Sequence, residues 1–169
     1  MKFGLGLSVQ HRPEESQPAR FAEHLEQVRL ARAVGFHSIW ASQHYLSEPF
    51  TYFQPIPTLG RVAAEAEGMW LGTGVVLLPL HHPVDVAEQL ATLDVITGGR
   101  FIFGVGLGYR DVENQAMGLD PRQRVSRLEE GLDSGSPWRL SSGLVRRSGS
   151  PPTATRGSSA RPGARTPGS

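Results

Sequence analysis

Cysteine is absent from the 169 residues, which excludes a disulfide framework and thiol chemistry and fits a reducing, cytoplasmic setting. Lysine is nearly absent. Lys2 is the only one, and the other sixteen of the seventeen basic residues are arginine, a skew expected of a GC-rich gene. Long hydrophobic runs are missing as well: the opening MKFGLGLSVQHRPEE has too short an apolar stretch for a signal peptide or a membrane span, so no membrane association is expected. Acidic residues are missing from 134–169, which carries six arginines; the first 133 residues therefore hold eleven bases against all sixteen acids, a net charge of −5. Basicity does not belong to the patterned part of the chain, and the arginine-bearing segment lacks interleaved aromatics and Lys/Arg runs. A nucleic-acid partner is not expected.

What is present is organised around Trp70 to Gly108, WLGTGVVLLPLHHPVDVAEQLATLDVITGGRFIFGVGLG. Leu71 to Leu78 is a β-branched apolar run stopped by Pro79, as in a strand buried on both faces. Pro83 suits a first helical position, Asp85 and Glu88 lie near the positive end of the helix dipole, and Gly98-Gly99 end the helix. Arg100 to Val105 is the next strand. Upstream, Lys2 to Val9 reads as a strand, Ala19 to Val34 as an amphipathic helix capped by Gly35, Phe36 to Ala41 as a strand and Pro55 to Glu67 as a helix. Ser42 to Tyr52 reads as a polar, aromatic loop. Downstream, Tyr109 to Gln123 is a loop or short helix, and Arg124 to Leu132 starts a helix with Val125, Leu128 and Leu132 on one face. Strand and helix alternate at about thirty residues per unit, which fits a TIM-type barrel, with a doubly wound open sheet as the second choice. From Ser134 onward, 26 of 36 residues are Ser, Gly, Pro or Arg, and no apolar period remains. Such a segment buries too little apolar surface to offset its ordering entropy, so disorder is expected. The change of character falls where a helix should continue, which favours a shifted reading frame over a natural tail.

In parallel α/β folds the site lies at the carboxyl ends of the strands, here Leu7 to Gln10, Ala41 to His44, Leu77 to His82 and Gly106 to Arg110. His44 lies just past the second strand, either as a proton donor or acceptor or as a solvated loop histidine. His81-His82 precede a helix and read as a cap and staple rather than an anion contact. His11, His24 and His37 offer no spacing for a third ligand, so no metal site is expected. Gly104, Gly106 and Gly108 lack the GxGxxG spacing of a dinucleotide fingerprint. Glycine inside the Gly72-Thr73-Gly74-Val75 strand suggests a bulge, a strained peptide or close ligand approach, or else helix-to-sheet packing. Arg110 fits an anion contact or a salt bridge with Asp111 or Glu113. Trp40 and Tyr109 line a pocket or belong to core and rim.

Together KFG at the start, ARAVGFHSIWASQHY, the run from Gly72 to Gly108 and AMGLDPRQRVSRLEEGL resemble the luciferase-like flavin-dependent monooxygenases, from Met1 to about Leu132. The resemblance implies a (β/α)8 barrel, a homodimer, and reduced flavin: FMN, or the deazaflavin F420 in related members. The reduced flavin would come from a partner reductase or NAD(P)H, with dioxygen and a small organic molecule as co-substrates. It makes His44 the catalytic histidine and Gly74-Val75 a non-proline cis peptide supporting the flavin ring. Leu7, Ser8, Gly106 and Gly108 complete the expected cofactor-binding set. Gly106 stands where bacterial luciferase has a reactive cysteine, Leu107 where it has a phosphate-contacting arginine, and Gln43 where the family's EHH pattern has an acid. Four strand–helix units are present. The expectation is therefore α/β: the N-terminal half of a TIM-type barrel over 1–133, followed by the tail over 134–169. Without the later strands, which in such barrels carry the phosphate site, catalysis is expected to be impaired.

Overall fold

The structure, a computed structural model, describes residues 1–134 and a strand at 145–147. The main path of a six-stranded parallel sheet runs β1 (Gly4–Gly6), β3 (Ser38–Ala41), β5 (Trp70–Thr73), β7 (Phe101–Gly106). The crossovers are α1 (Gln17–Ala33), α2 (Pro55–Val62) and α3 (Pro83–Ile96). A further pair lies outside this sheet: β2 (Gln10–His11), after β1, runs antiparallel to β4 (Thr51–Tyr52), after β3. After β7 come α4 (Asp111–Ala116), a 3-10 turn and α5 (Arg124–Ser134). This is the parallel α/β architecture expected.

The register explains the two faces. Leu5 pairs with Ile39, Ile39 with Leu71 and Leu71 with Phe101, a continuous apolar row across all four strands. Ile39, Leu71 and Phe101 are buried, and Val28, Leu59, Val62, Leu90 and Leu93 of the helices join the same core. On the opposite face Trp40 lies against the neighbouring strands. A Cβ on Gly72 would stand 2.4 Å from its ring, and one on Gly4 would stand 2.8 Å from its Nε1. The Trp40 Nε1–H donates to Ser38 Oγ at 2.9 Å, which fixes the ring there. At Gly72 the indole of the neighbouring strand, not a packed helix, occupies the side-chain space.

The run read as one strand from Leu71 to Leu78 is interrupted. β5 ends at Thr73, the Gly74–Val75 peptide is cis, and β6 (Val76–Leu77) resumes before a 3-10 turn at Leu78–Leu80. Gly72 faces Ile102 and Val76 faces Val105, so four steps on this strand span three on β7: a one-residue bulge. Thr73 repairs the ladder there. Its hydroxyl accepts from Gly104 N–H and donates to Gly104 C=O, both at 2.9 Å. Propensity sees only an apolar run; the bulge exists because Thr73 supplies both hydrogen bonds from its side chain.

Three other expectations need correction. The loops at Gln10–Pro18 and Ser42–Tyr52 contribute the β2–β4 pair, set by a pairing 40 positions apart (His11 with Thr51) that no local pattern reports. Val125 is exposed, while Leu128 and Leu132 pack on the core. Of the segment expected to be disordered, residues 145–147 form β8, parallel to β7 with Val145 beside Phe103. The rest of 135–169 lies outside the described residues.

His24 is buried on α1, donating from Nε2 to Ser8 C=O at 3.0 Å and packed against His11 and Phe53. Burial, reinforced by His11, holds its pKa below the ordinary value despite the Ser8 bond. The folded state thus refuses a proton that the unfolded chain accepts. Stability is retained above about pH 6.5 and falls on acidification below it. Urea midpoints between pH 7.5 and 5.5 should decline in the native chain and decline less in His24→Gln. Equal slopes would show that His24 does not carry the effect.

Candidate active site

Four segments converge at the carboxyl ends of the strands. The one after β3 carries Ser42, Gln43, His44 and Tyr45; the one after β7 leads into α4 and carries Tyr109, Arg110 and Glu113. His44 Nδ1 lies 3.0 Å from Glu113 Oε1, and the same oxygen accepts Tyr45 N–H at 2.9 Å and Arg110 Nη1 at 3.3 Å. Glu113 is fully buried, and its Oε2 is buried without a hydrogen-bond partner. A carboxylate only accepts, so neutral His44 carries its proton on Nδ1 and leaves Nε2 free to take another. The Tyr52 and Tyr109 rings meet the imidazole edge-on, with centroids 5.5 and 5.9 Å away. Ser42 and Tyr52 share a hydroxyl–hydroxyl bond, and burial holds both Tyr52 and Tyr45 phenols above their ordinary pKa.

Arg110 is consumed by the protein. Besides Glu113, it donates to the carbonyls of Tyr45 at 2.7 Å and Leu46 at 3.0 Å, clasping a turn in which Leu46 has φ +48°. Of the two readings open for it, the salt bridge with Glu113 is the one formed.

Gln43 is the hub of a second cluster. Its Oε1 accepts Leu77 N–H at 2.8 Å and lies 3.1 Å from His81 Nε2. Its amide NH2 donates to Tyr45 Oη at 3.1 Å and Gln54 Oε1 at 3.3 Å, and Gln54 in turn donates to His44 C=O at 2.9 Å. His82 stands at the N-cap of α3 without a side-chain cap bond. The cap-and-staple reading of His81-His82 is thus replaced, for His81, by a bond into this cluster.

The other expected residues are placed as follows. Gly74 is exposed at this face and Val75 half-buried beside it. Around Gly74 a Cβ would meet only Trp40 Cε3, at 3.6 Å, so the backbone is open to a flat ligand. Gly106 is buried behind Val75, whose Cγ2 would lie 2.6 Å from a Cβ there. Gly108 is half-exposed with φ +72°, against Leu77. Leu7 is a core residue whose N–H extends the ladder to Trp40 C=O, and Ser8 is exposed with its carbonyl turned to His24 on α1. Glu113 was visible in the sequence only as a partner for Arg110, and Gln54 and Thr73 not at all. Nothing local links positions 44 and 113. The one available signal was an acid in the short helix after a strand end. Among the described residues no three His, Cys, Asp or Glu side chains gather as metal ligands, and no helix is long and apolar enough to cross a membrane.

The described residues thus form a parallel α/β sheet with a carboxylate-bound histidine and open glycine backbone at its carboxyl face. The family model of the luciferase-like monooxygenases matches residues 1–138, and the chain belongs to that family of enzymes. It is 34% identical over 133 residues to 4-hydroxyprotoasukamycin monooxygenase of Streptomyces nodosus subsp. asukaensis, covering 79% of this chain and 36% of that protein. It is 35% identical over 133 residues to limonene 1,2-monooxygenase of Rhodococcus erythropolis, covering 78% and 34%. Among solved structures, monooxygenase RslO1 from Streptomyces bottropensis superposes with a TM-score of 0.73 at 32% identity, over 80% of this chain and 42% of that one. The oxygenating constituent of 3,6-diketocamphane monooxygenase from Pseudomonas putida, in complex with FMN, shares the fold (TM-score 0.71, 22% identity, 80% and 38% covered). The F420-dependent tetrahydromethanopterin reductase of Methanopyrus kandleri is similar at TM-score 0.52 and 25% identity, with 76% and 38% covered. The chain thus spans little more than a third of the length of the two curated relatives.

Proposed function

We propose that this chain forms the His44 wall of a flavin-dependent monooxygenase site that oxidises a small organic substrate with dioxygen. The observation that carries the reading is the His44–Glu113 pair at the carboxyl face beside the open backbone of Gly74. The residues present suit a flavin. Gly74 and Val75 would lie against the ring, Gly106 behind Val75 keeps that surface flat, and Leu7, Ser8 and Gly108 bound it. Reduced flavin, when bound, supplies the electrons that activate dioxygen for transfer of one oxygen atom to the substrate. His44 takes up or releases a proton at Nε2. Glu113 holds its tautomer through Nδ1, Arg110 holds Glu113, and the Tyr52 and Tyr109 rings flank the imidazole edge-on. The working setting in this reading is cytoplasmic and homodimeric, with reduced FMN provided by a reductase that draws on NAD(P)H. The likeness to an F420-dependent reductase supports a second reading, F420-dependent oxidation or reduction on the same wall.

Titrating the purified chain with oxidised and reduced FMN, then F420, by fluorescence tests this. Micromolar binding weakened more than tenfold in Gly74→Val is the expected result. No binding by a chain of normal helical content would reject the proposal in favour of a non-catalytic half-barrel.

A further inference from the structure

The carboxyl face carries two histidines, His44 and His81, and they are wired to opposite kinds of group. His44 meets a carboxylate, His81 an amide. We infer that Gln43 is a positioning residue that holds His81 as a neutral Nε2–H imidazole and turns the Tyr45 hydroxyl hydrogen toward the ligand space, so that proton uptake in the site falls to His44. This rests on the function proposed above.

The orientation of the Gln43 amide follows from one unambiguous partner. A backbone N–H can only donate, so the atom facing Leu77 N at 2.8 Å is the carbonyl oxygen. The second neighbour of that oxygen, His81 Nε2 at 3.1 Å, must then donate as well, which fixes the tautomer. The amide NH2 faces Tyr45 Oη and Gln54 Oε1, so all four hydrogen-bonding positions of this buried side chain are used. The Tyr45 oxygen receives a hydrogen from Gln43. Its other hydrogen-bonding contact among the described residues is His81 Nε2, 3.5 Å away and already carrying a hydrogen. The phenolic hydrogen is therefore left for an acceptor on a bound molecule.

The charged and titratable groups around His81 agree. Burial lowers its pKa, more than Asp85 on the first turn of α3 raises it. Tyr45 lies with its ring centroid 6.0 Å away and its phenol protonated, and Arg127 of α5 bonds the Pro79 carbonyl two residues upstream at 2.7 Å. No carboxylate within hydrogen-bond distance faces the His81 ring among the described residues, whereas Glu113 faces His44. A pair of like groups in such unlike surroundings divides the labour of proton transfer. A glutamate at 43 would undo the division. It would present a negative charge to His81, and it would draw the Tyr45 hydrogen back to itself, because a carboxylate cannot donate.

Two-bond nitrogen–proton NMR correlations of the histidine rings, recorded on the full chain from pH 5 to 8, test this. The native protein should show neutral His81 protonated on Nε2, with a midpoint below the ordinary histidine value of about 6.5. Gln43→Glu should raise the His81 midpoint by about one pH unit or more. An Nδ1–H tautomer, or a native His81 midpoint above the ordinary histidine value, would overturn the inference even if the variant does not fold. An unmoved His81 midpoint in a folded Gln43→Glu would also overturn it. FMN titration of the same sample separates the two readings: no flavin binding together with the stated tautomer defeats the proposed function and leaves the wiring intact.

Discussion

Gly104→Ala should lower stability by on the order of 3 kcal/mol, a large part of what a domain of this size possesses. The cause is the bulge. Because Thr73 and Gly74 add a residue opposite β7, the Thr73 carbonyl is driven toward the face of Gly104, and an added Cβ would stand 2.0 Å from that oxygen. The obstacle is backbone, and Gly104 is also held by the Thr73 hydroxyl at both its N–H and its C=O. Relief therefore requires separating the two central strands and losing both bonds inside the core, where an unmade hydrogen bond costs about 1–3 kcal/mol. Gly6→Ala is the control. It is also a strand glycine, but its Cβ would meet nothing within 4 Å, and it should cost less than about 1 kcal/mol. Urea denaturation of both variants checks the contrast. Equal midpoints would mean that the Thr73–Gly104 contact does not hold the bulge.

Glu113→Leu carries the second large effect, a loss of about 3–5 kcal/mol. The carboxylate is the common acceptor for His44, Tyr45 N–H and Arg110, and leucine of similar volume leaves all three without it. The guanidinium is the costliest of these, since it stays clamped to the Tyr45 and Leu46 carbonyls beside a buried apolar side chain. Glu113→Gln should lose less, because an amide oxygen still accepts Tyr45 N–H, although its NH2 then competes with the other donors. Arg110→Ala should be less damaging in the Glu113→Gln background than in the native one. A double-mutant cycle by urea denaturation should return a coupling of about 1–3 kcal/mol. A coupling near zero would show that Arg110 serves only the 45–47 turn.

How far each of these features could be read in advance depends on the range over which it is specified. The α3 segment was legible because Pro83, the apolar spacing and Gly98-Gly99 all act within a few residues, and the resemblance carried the cis Gly74–Val75 peptide. The run Leu71–Leu78 misled because a bulge leaves hydrophobicity unchanged. Only the register against β7 shows that four steps match three. The burial of His24 had no local signal, since nothing near it in the chain announces that Ser8 C=O and the His11 and Phe53 rings close over it.

The sequence by itself therefore determined the alternation of strand and helix, the parallel sheet that alternation requires, and membership of the luciferase-like monooxygenase family. These rest on periodicity, chain punctuation and short motifs, all local properties of the chain. The tertiary structure decided which polar groups meet. Thr73 and Gly104 are 31 positions apart, Gln43 and His81 are 38 apart, and His44 and Glu113 are 69 apart. Such partners are chosen by strand register and by the packing of one strand end on the next. Burial then makes the choice consequential, because a donor or acceptor removed from water must find its partner wherever the fold has placed it.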